Sequence, residues 1–365
     1  MHIIIIMLIP LFKRIFFTGC LLGLAGCESV SFYYQAIEGQ WEILSNREPI
    51  QELVEDSQTS SKVKQKLELV LSIREFAEEQ LSLPVNEHYS QYTDLGRPYV
   101  VWNVFAAPEF SVEPKTWCFP IAGCVAYKGF FAEDNANQHA AKLSNQGFDV
   151  YVGGVAAFST LGWFEDPVLN TFLRRSDASL AALMIHELAH QKLYVKGDSA
   201  FNESFATTVE ILGLAQWLTA QGRANEIEVM AQHRQRKAQF VDLILQHRET
   251  LQQLYDSALD DTEKRRQKIQ LTDQLRQNYQ QLKATETWNG YQGYDKWFAG
   301  PLNNAQLSTI ATYHHWVDSF MKIHQQVDGH WPSFYQRCRE LAELNRDLRD
   351  QTLEKLSMEA ANIRL

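Results

Sequence analysis

The chain has 365 residues, 45% of them hydrophobic and 12% aromatic, with 18 Gly and 10 Pro. That balance excludes a disordered or fibrous protein and predicts one large domain with elaborations, or two tightly packed ones. A formal net charge of -10 argues against nucleic acid or an anionic bilayer as the main partner, since both select clustered Lys and Arg.

Residues 1–26 read as a targeting segment to be set apart from the fold. Lys13 and Arg14 precede an apolar run from Ile15, and the run ends in Leu24, Ala25, Gly26 and Cys27. This ending resembles a bacterial lipobox, which implies a signal peptide cut before Cys27 and a lipid on that cysteine. The chain is then expected in a bacterial cell envelope, held to the membrane through Cys27. Glu28 follows where an aspartate would mark inner-membrane retention, which favours the outer membrane, facing the periplasm. A transmembrane anchor competes, but the uncharged run after Arg14 is about a dozen residues against the ~20 of a spanning helix. The stretch before Lys13 is unusual for the start of a signal peptide, and Met7 is the expected first residue. In an oxidising compartment Cys118 and Cys124 can form a local disulfide, leaving Cys338 over; two unpaired cysteines are the alternative, because spacing does not set backbone geometry.

Residues 33–83 carry apolar positions at helical spacing. Val63, Leu67, Val70, Leu71 and Ile73 or Phe76 share a face of a helix that stops at Pro84, so two helical segments are expected. From His88 to about Asn170 the texture is aromatic, β-branched and punctuated by glycine, the pattern of strands joined by turns. One short helix interrupts it, ending at Gly147. From Ser176 onward the sequence reads as helix. Ser176 or Asp177 caps an Ala- and Leu-rich helix, Gly197 breaks it, and Asp198 or Ser199 starts a second that runs to Gly222. Two long charged helices then turn near Asp260 and Asp261, a hairpin packing on the body. A loop rich in Gly and aromatic residues follows, then two more helices, the last from about Trp331 to the end. The predicted divisions are 1–26 signal peptide, 27–87 helical, 88–175 sheet, 176–222 the two successive helices and 223–365 C-terminal helical region.

Within 186–206 stands HELAHQKLYVKGDSAFNESFA. Residues four apart share one helix face with β-carbons ~5–6 Å apart, so His186 and His190 can reach a single cation. Glu187 lies beside that cation without being forced to bind it. Two neutral imidazoles and a carboxylate able to take a proton from water are what a metal-dependent hydrolase needs. Zn2+ suits the set, since imidazole and carboxylate hold it while leaving a position open. The next helix carries Glu203, which a hairpin would bring to the ion as third ligand. A helix that carries two histidines without any ion is the competing reading.

The motif HELAHQ followed by FNESFATTVEILG resembles the gluzincin metallopeptidases, in particular the aminopeptidase N type. The matching residues are His186, Glu187, His190, Asn202, Glu203, Phe205, Ala206 and Glu210. YYQAIEGQ, WCFPIAGCVAYKGFF and STLGWFEDP extend a resemblance to the bacterial predicted-aminopeptidase lipoproteins over nearly the whole chain after Cys27. The resemblance implies that His186, His190 and Glu203 bind zinc and that Glu187 is the general base. Glu210, two turns beyond Glu203, then holds a ligand imidazole in orientation. Two departures stand out. Twelve residues separate His190 from Glu203, which demands a tight connection, and no Gly-Ala-Met-Glu-Asn segment is present to hold a substrate amine.

A donor for the developing oxyanion is expected at Tyr313, beside His314 and His315, or at Tyr291 or Tyr294; a packed core tyrosine is the plain alternative. The run through Gly153 and Gly154 is either an edge strand to which a peptide pairs or an interior strand with a bulge. The expected fold is α+β and mostly helical, a zincin-like metallopeptidase core with a small mixed sheet before the histidine helix and a long helical hairpin. The expected function is zinc-dependent peptide hydrolysis, as an aminopeptidase. The alternatives are a zinc endopeptidase and a non-catalytic envelope lipoprotein with a structural zinc site.

Overall fold

The computed structural model describes residues 27–119, 123–157, 165–310 and 316–361. The expected leader 1–26, the STLGWF stretch at 159–164, and Tyr313 with His314 and His315 lie outside the described residues, as does the side chain of Cys27. The chain divides into two compact units, each gathered from distant stretches. Among the described residues the first comprises 27–100, 156–217 and 316–361, and the second 101–155 and 218–310.

The first unit begins with α1 (Cys27–Ser45), β1 (Glu48–Pro49), α2 (Ile50–Glu55) and α3 (Ser61–Glu79). The sequence predicts two helical segments here; the short α2 intervenes directly after Pro49, the residue that precedes its first turn. Ser60 caps α3 by accepting from Val63 N, and α3 buries Leu67, Val70, Ile73 and Ala77 along one face. β2 (Gln91–Thr93) pairs antiparallel with β1 and parallel with β8 (Val168–Leu169), a small mixed sheet.

Ser176 proves to be the cap of α6 (Asp177–Lys192), accepting from Ser179 N, while Asp177 pairs with Lys66 of α3 at 2.6 Å. Leu180, Ala181, Met184, Ile185, Leu188 and Ala189 bury α6 on nearly every side. After Leu193 the chain turns through Gly197 at φ +81° and restarts as α7 (Ser199–Ala220). Four hydrogen bonds hold this short connection. The amide of Asn202 accepts from Val195 N at 2.7 Å and donates to Val195 O at 2.8 Å. Asp198 accepts from Phe201 N at 3.0 Å. The other Asp198 oxygen meets Arg349 at 2.5 Å in an almost fully buried ion pair.

The far side of α7 sits in an aromatic cluster. Phe201 and Phe205 meet Phe320 on α12 (Val317–Gln326), and Phe205 also meets Phe334 and Tyr335 on α13 (Trp331–Glu343). The sequence predicts one final helix from Trp331 onward. It is instead broken at Leu344, because Asn345 accepts from Leu348 N at 3.0 Å and caps a separate helix, α14 (Arg346–Ala361). Among the described residues no helix is long and apolar enough to cross a membrane.

In the second unit β3 (Val101–Pro108) runs antiparallel between β6 (Lys128–Phe130) and β7 (Phe148–Val155), with α4 (Glu133–Asn145) packed on the sheet. β7 lies at the sheet edge, and its register continues unbroken through Gly153 and Gly154, opposite Asn103 and Trp102, so the glycines form no bulge. Cys118 of β4 (Trp117–Phe119) faces Cys124 of β5 (Gly123–Val125), and the two are joined as a disulfide. The hairpin of α8 (Glu226–Asp256) and α9 (Asp261–Lys283) turns at Asp260, which caps α9 through Glu263 N. Its inner face holds Phe240, Leu275 and Tyr279 against Trp288 and Phe298.

α7 packs tightly at Gly213, against Leu81 and against Ile185 of α6. A Cβ there would stand 2.7 Å from Leu81 Cδ1 and 3.1 Å from Ile185 Cγ2. A branched side chain must displace Leu81 and Ile185 from their packing, so Gly213→Val is expected to lower unfolding free energy by about 1–3 kcal/mol in a urea titration. An undiminished midpoint would contradict the packing described.

Candidate metal centre

His186 and His190 lie on one face of α6 near its C-terminus, their rings 4.9 Å apart and nearly perpendicular. The clip at Asn202 and the near-contact at Gly213 turn the face of α7 that carries Glu203, Ala206 and Glu210 toward them. Glu203 bridges the pair: Oε2 lies 3.4 Å from His186 Nε2, and Oε1 lies 3.6 Å from His190 Nε2. Donors held ~2.1 Å from a tetrahedral ion stand roughly 3.4 Å from one another, so these separations suit a common ion. One donor atom from each of His186, His190 and Glu203 lies within 4.8 Å of the others, a group that could hold a metal ion. Glu210 Oε2 hydrogen-bonds the opposite ring nitrogen, Nδ1 of His186, at 3.0 Å. That contact fixes the tautomer and aims Nε2 at Glu203. His190 Nδ1, by contrast, is buried with no hydrogen-bond partner among the described residues.

Charge in the cluster is unevenly distributed. Burial works against a proton on His186, but its hydrogen bonds to Glu203 and Glu210, with the charges of Glu210 and Glu187, outweigh burial and raise its pKa. Burial and the neighbouring charge on His186 lower the pKa of His190, so its imidazole stays neutral. Burial raises the Glu187 carboxyl above the usual carboxylate range; His186 opposes this, and Glu203, Asp166 and Glu210 add to it. Two imidazoles, one bridging carboxylate and an adjacent carboxylate with raised pKa can together hold a cation and move a proton beside it.

The structure adds neighbours that the sequence did not suggest. Tyr89 is buried at a left-handed backbone, φ +59°, and its N–H donates to Asp166 O at 2.9 Å. Asp166 is itself buried, and its N–H donates to His88 Nδ1 at 3.2 Å. Burial, then the charges of Glu187 and Asp166, push the Tyr89 phenol well above its ordinary pKa, which keeps it a neutral donor. A tyrosine at positive φ is a strained arrangement that surrounding structure must hold in place. Tyr89 is remote from Glu187 in sequence and belongs to no motif there; only the unusual backbone, invisible in sequence, marks it.

Of the other tyrosines considered, Tyr294 stacks on Phe240 at 4.1 Å, and Tyr291 packs beneath Arg236 in the second unit, which is core packing. Glu210 is the most direct test of the centre short of a ligand. Glu210→Ala leaves all three donors in place and is expected to weaken divalent-ion binding about 10–100-fold in a chelator competition. Unchanged affinity would contradict its orienting role.

No curated protein and no solved structure matches the chain. A family described as "Putative aminopeptidase" matches it over residues 31–353, which takes in every residue of the cluster. The chain therefore belongs to that aminopeptidase family.

Proposed function

We propose that the protein is a zinc-dependent peptidase with a zincin-like core, acting as an aminopeptidase on peptides in a bacterial cell envelope, with a lipid on Cys27 holding it to the membrane. One observation carries the reading: His186 Nε2, His190 Nε2 and a Glu203 carboxylate oxygen converge within 4.8 Å, with Glu187 alongside. The family supports the peptidase class. Two imidazoles and one carboxylate form a donor set used by catalytic zinc sites, with the fourth position left open.

When bound, the ion supplies Lewis acidity toward a water and a peptide carbonyl. His186, His190 and Glu203 hold it, and Glu210 fixes the His186 ring. Glu187 takes the proton released as water attacks the carbonyl carbon. It then delivers that proton to the departing amine nitrogen, so the carboxyl returns to its starting state. A raised pKa suits the cycle, because it makes the carboxylate a stronger base toward the water proton. Two tyrosines are proposed as donors to the oxyanion: Tyr313 on sequence grounds, and Tyr89 on its burial within electrostatic reach of Glu187.

Glu187→Gln keeps the shape and removes the base. It is expected to retain metal at the wild-type stoichiometry while kcat falls by about 10²–10⁴-fold. An unchanged rate would falsify the assignment of the base. An aminopeptidase should also cleave aminoacyl anilides and leave their N-acetylated forms intact, and cleavage of both would instead favour an endopeptidase.

A further inference from the structure

The first helix offers a surface that the metal chemistry does not use. One side of α1 is fastened to the unit: Ile43 is buried, its carbonyl accepts from Thr93 Oγ1, and Glu42 pairs with Arg97 at 2.7 Å. The other side shows Tyr34, Ile37 and Trp41 to solvent, at 67%, 49% and 70% exposure. At ~100° per residue these three fall within about 60° of each other, a single apolar stripe. Scattered exposed apolar residues need no explanation, but three sharing one helix face do.

The residue types indicate an occupant. Trp and Tyr join an apolar ring to a polar edge and concentrate where hydrocarbon meets water. α1 starts at Cys27, the residue read as carrying lipid. At ~1.5 Å per residue Tyr34 lies about 10 Å and Trp41 about 21 Å along the helix from that point. A helix lying on the bilayer brings the whole stripe to the headgroups. One standing upright leaves Trp41 far outside an interfacial layer only about 5–8 Å deep. The charged residues of α1 are Glu28, Glu38 and Glu42, so a zwitterionic surface suits the stripe better than an anionic one.

We propose that the Tyr34, Ile37 and Trp41 face of α1 lies in the headgroup region of a zwitterionic bilayer, so that the protein is held against the membrane by a helix face as well as by its tether. This rests on lipid attachment at Cys27 and is independent of the metal centre.

The test uses the full chain processed in a bacterial envelope and reconstituted into phosphatidylcholine vesicles with brominated acyl chains. Intact mass of the N-terminal peptide reads the lipid, and the difference between wild type and Trp41→Phe isolates the emission of Trp41. The expected result is a lipidated chain whose Trp41 emission is blue-shifted and quenched at least twofold, insensitive to salt. Tyr34→Ser with Ile37→Ser should abolish most of that quenching while thermal unfolding and hydrolysis stay unchanged. A lipidated, vesicle-bound chain with unquenched Trp41 overturns the proposal. So does shielding of Trp41 that appears without vesicles and grows with protein concentration, which would assign the stripe to a second copy. If the peptide carries no lipid and the chain stays off vesicles, the tether and the proposal fall together. If it carries no lipid and Trp41 is still quenched, the tether fails and the proposal, which rests on it, is overturned.

Discussion

The structure of the first unit turns on how closely α7 can approach α6. A carboxylate spans only a few ångström, so Glu203 can bridge His186 and His190 only if α7 presents it within side-chain reach of both rings. Gly213 and Ala206 keep the facing side of α7 bare. Asn202 and Asp198 fix where α7 begins, and the stack of Phe201, Phe205, Phe320 and Phe334 presses it from behind. None of these residues touches an ion. They set the distance over which three that would can meet.

That arrangement places ionisable groups where burial disfavours them. His190 sits nearly buried with one nitrogen unpartnered, Glu187 is held above its ordinary pKa, and two flanking carboxylates raise the pKa of His186 against the effect of burial. Desolvated charges persist where they satisfy one another or where a ligand completes them. The apolar walls of α6 supply the low-dielectric setting in which a positioned carboxylate and a cation act most strongly on a substrate.

Much of this was legible in the residues, and the limits have physical causes. His186 and His190 share a face because helix geometry relates positions four apart, and the broken helix at Gly197 implies a hairpin. The spacing of twelve between His190 and Glu203 demanded a tight link without saying what tightens it. The answer is the paired hydrogen bonds of Asn202 to Val195, a contact within the motif itself. Strands such as β2 and β8 are too short to show a period, so their parallel pairing could not be read. Nor could the neighbourhood of Tyr89 and Asp166 with Glu187, which exists only through tertiary packing. The break before α14 hid in a single capping Asn345 within an otherwise helical pattern.

The account stands on a divalent ion bound jointly by α6 and α7. X-ray absorption at the zinc edge on the purified protein reads this directly. The account predicts one zinc per chain in a four-coordinate shell of two imidazole nitrogens and two oxygens at about 2.0–2.2 Å, with the zinc content falling on Glu203→Ala. A zinc-free protein that still cleaves peptides, or a metal shell indifferent to both histidines and Glu203, would contradict it.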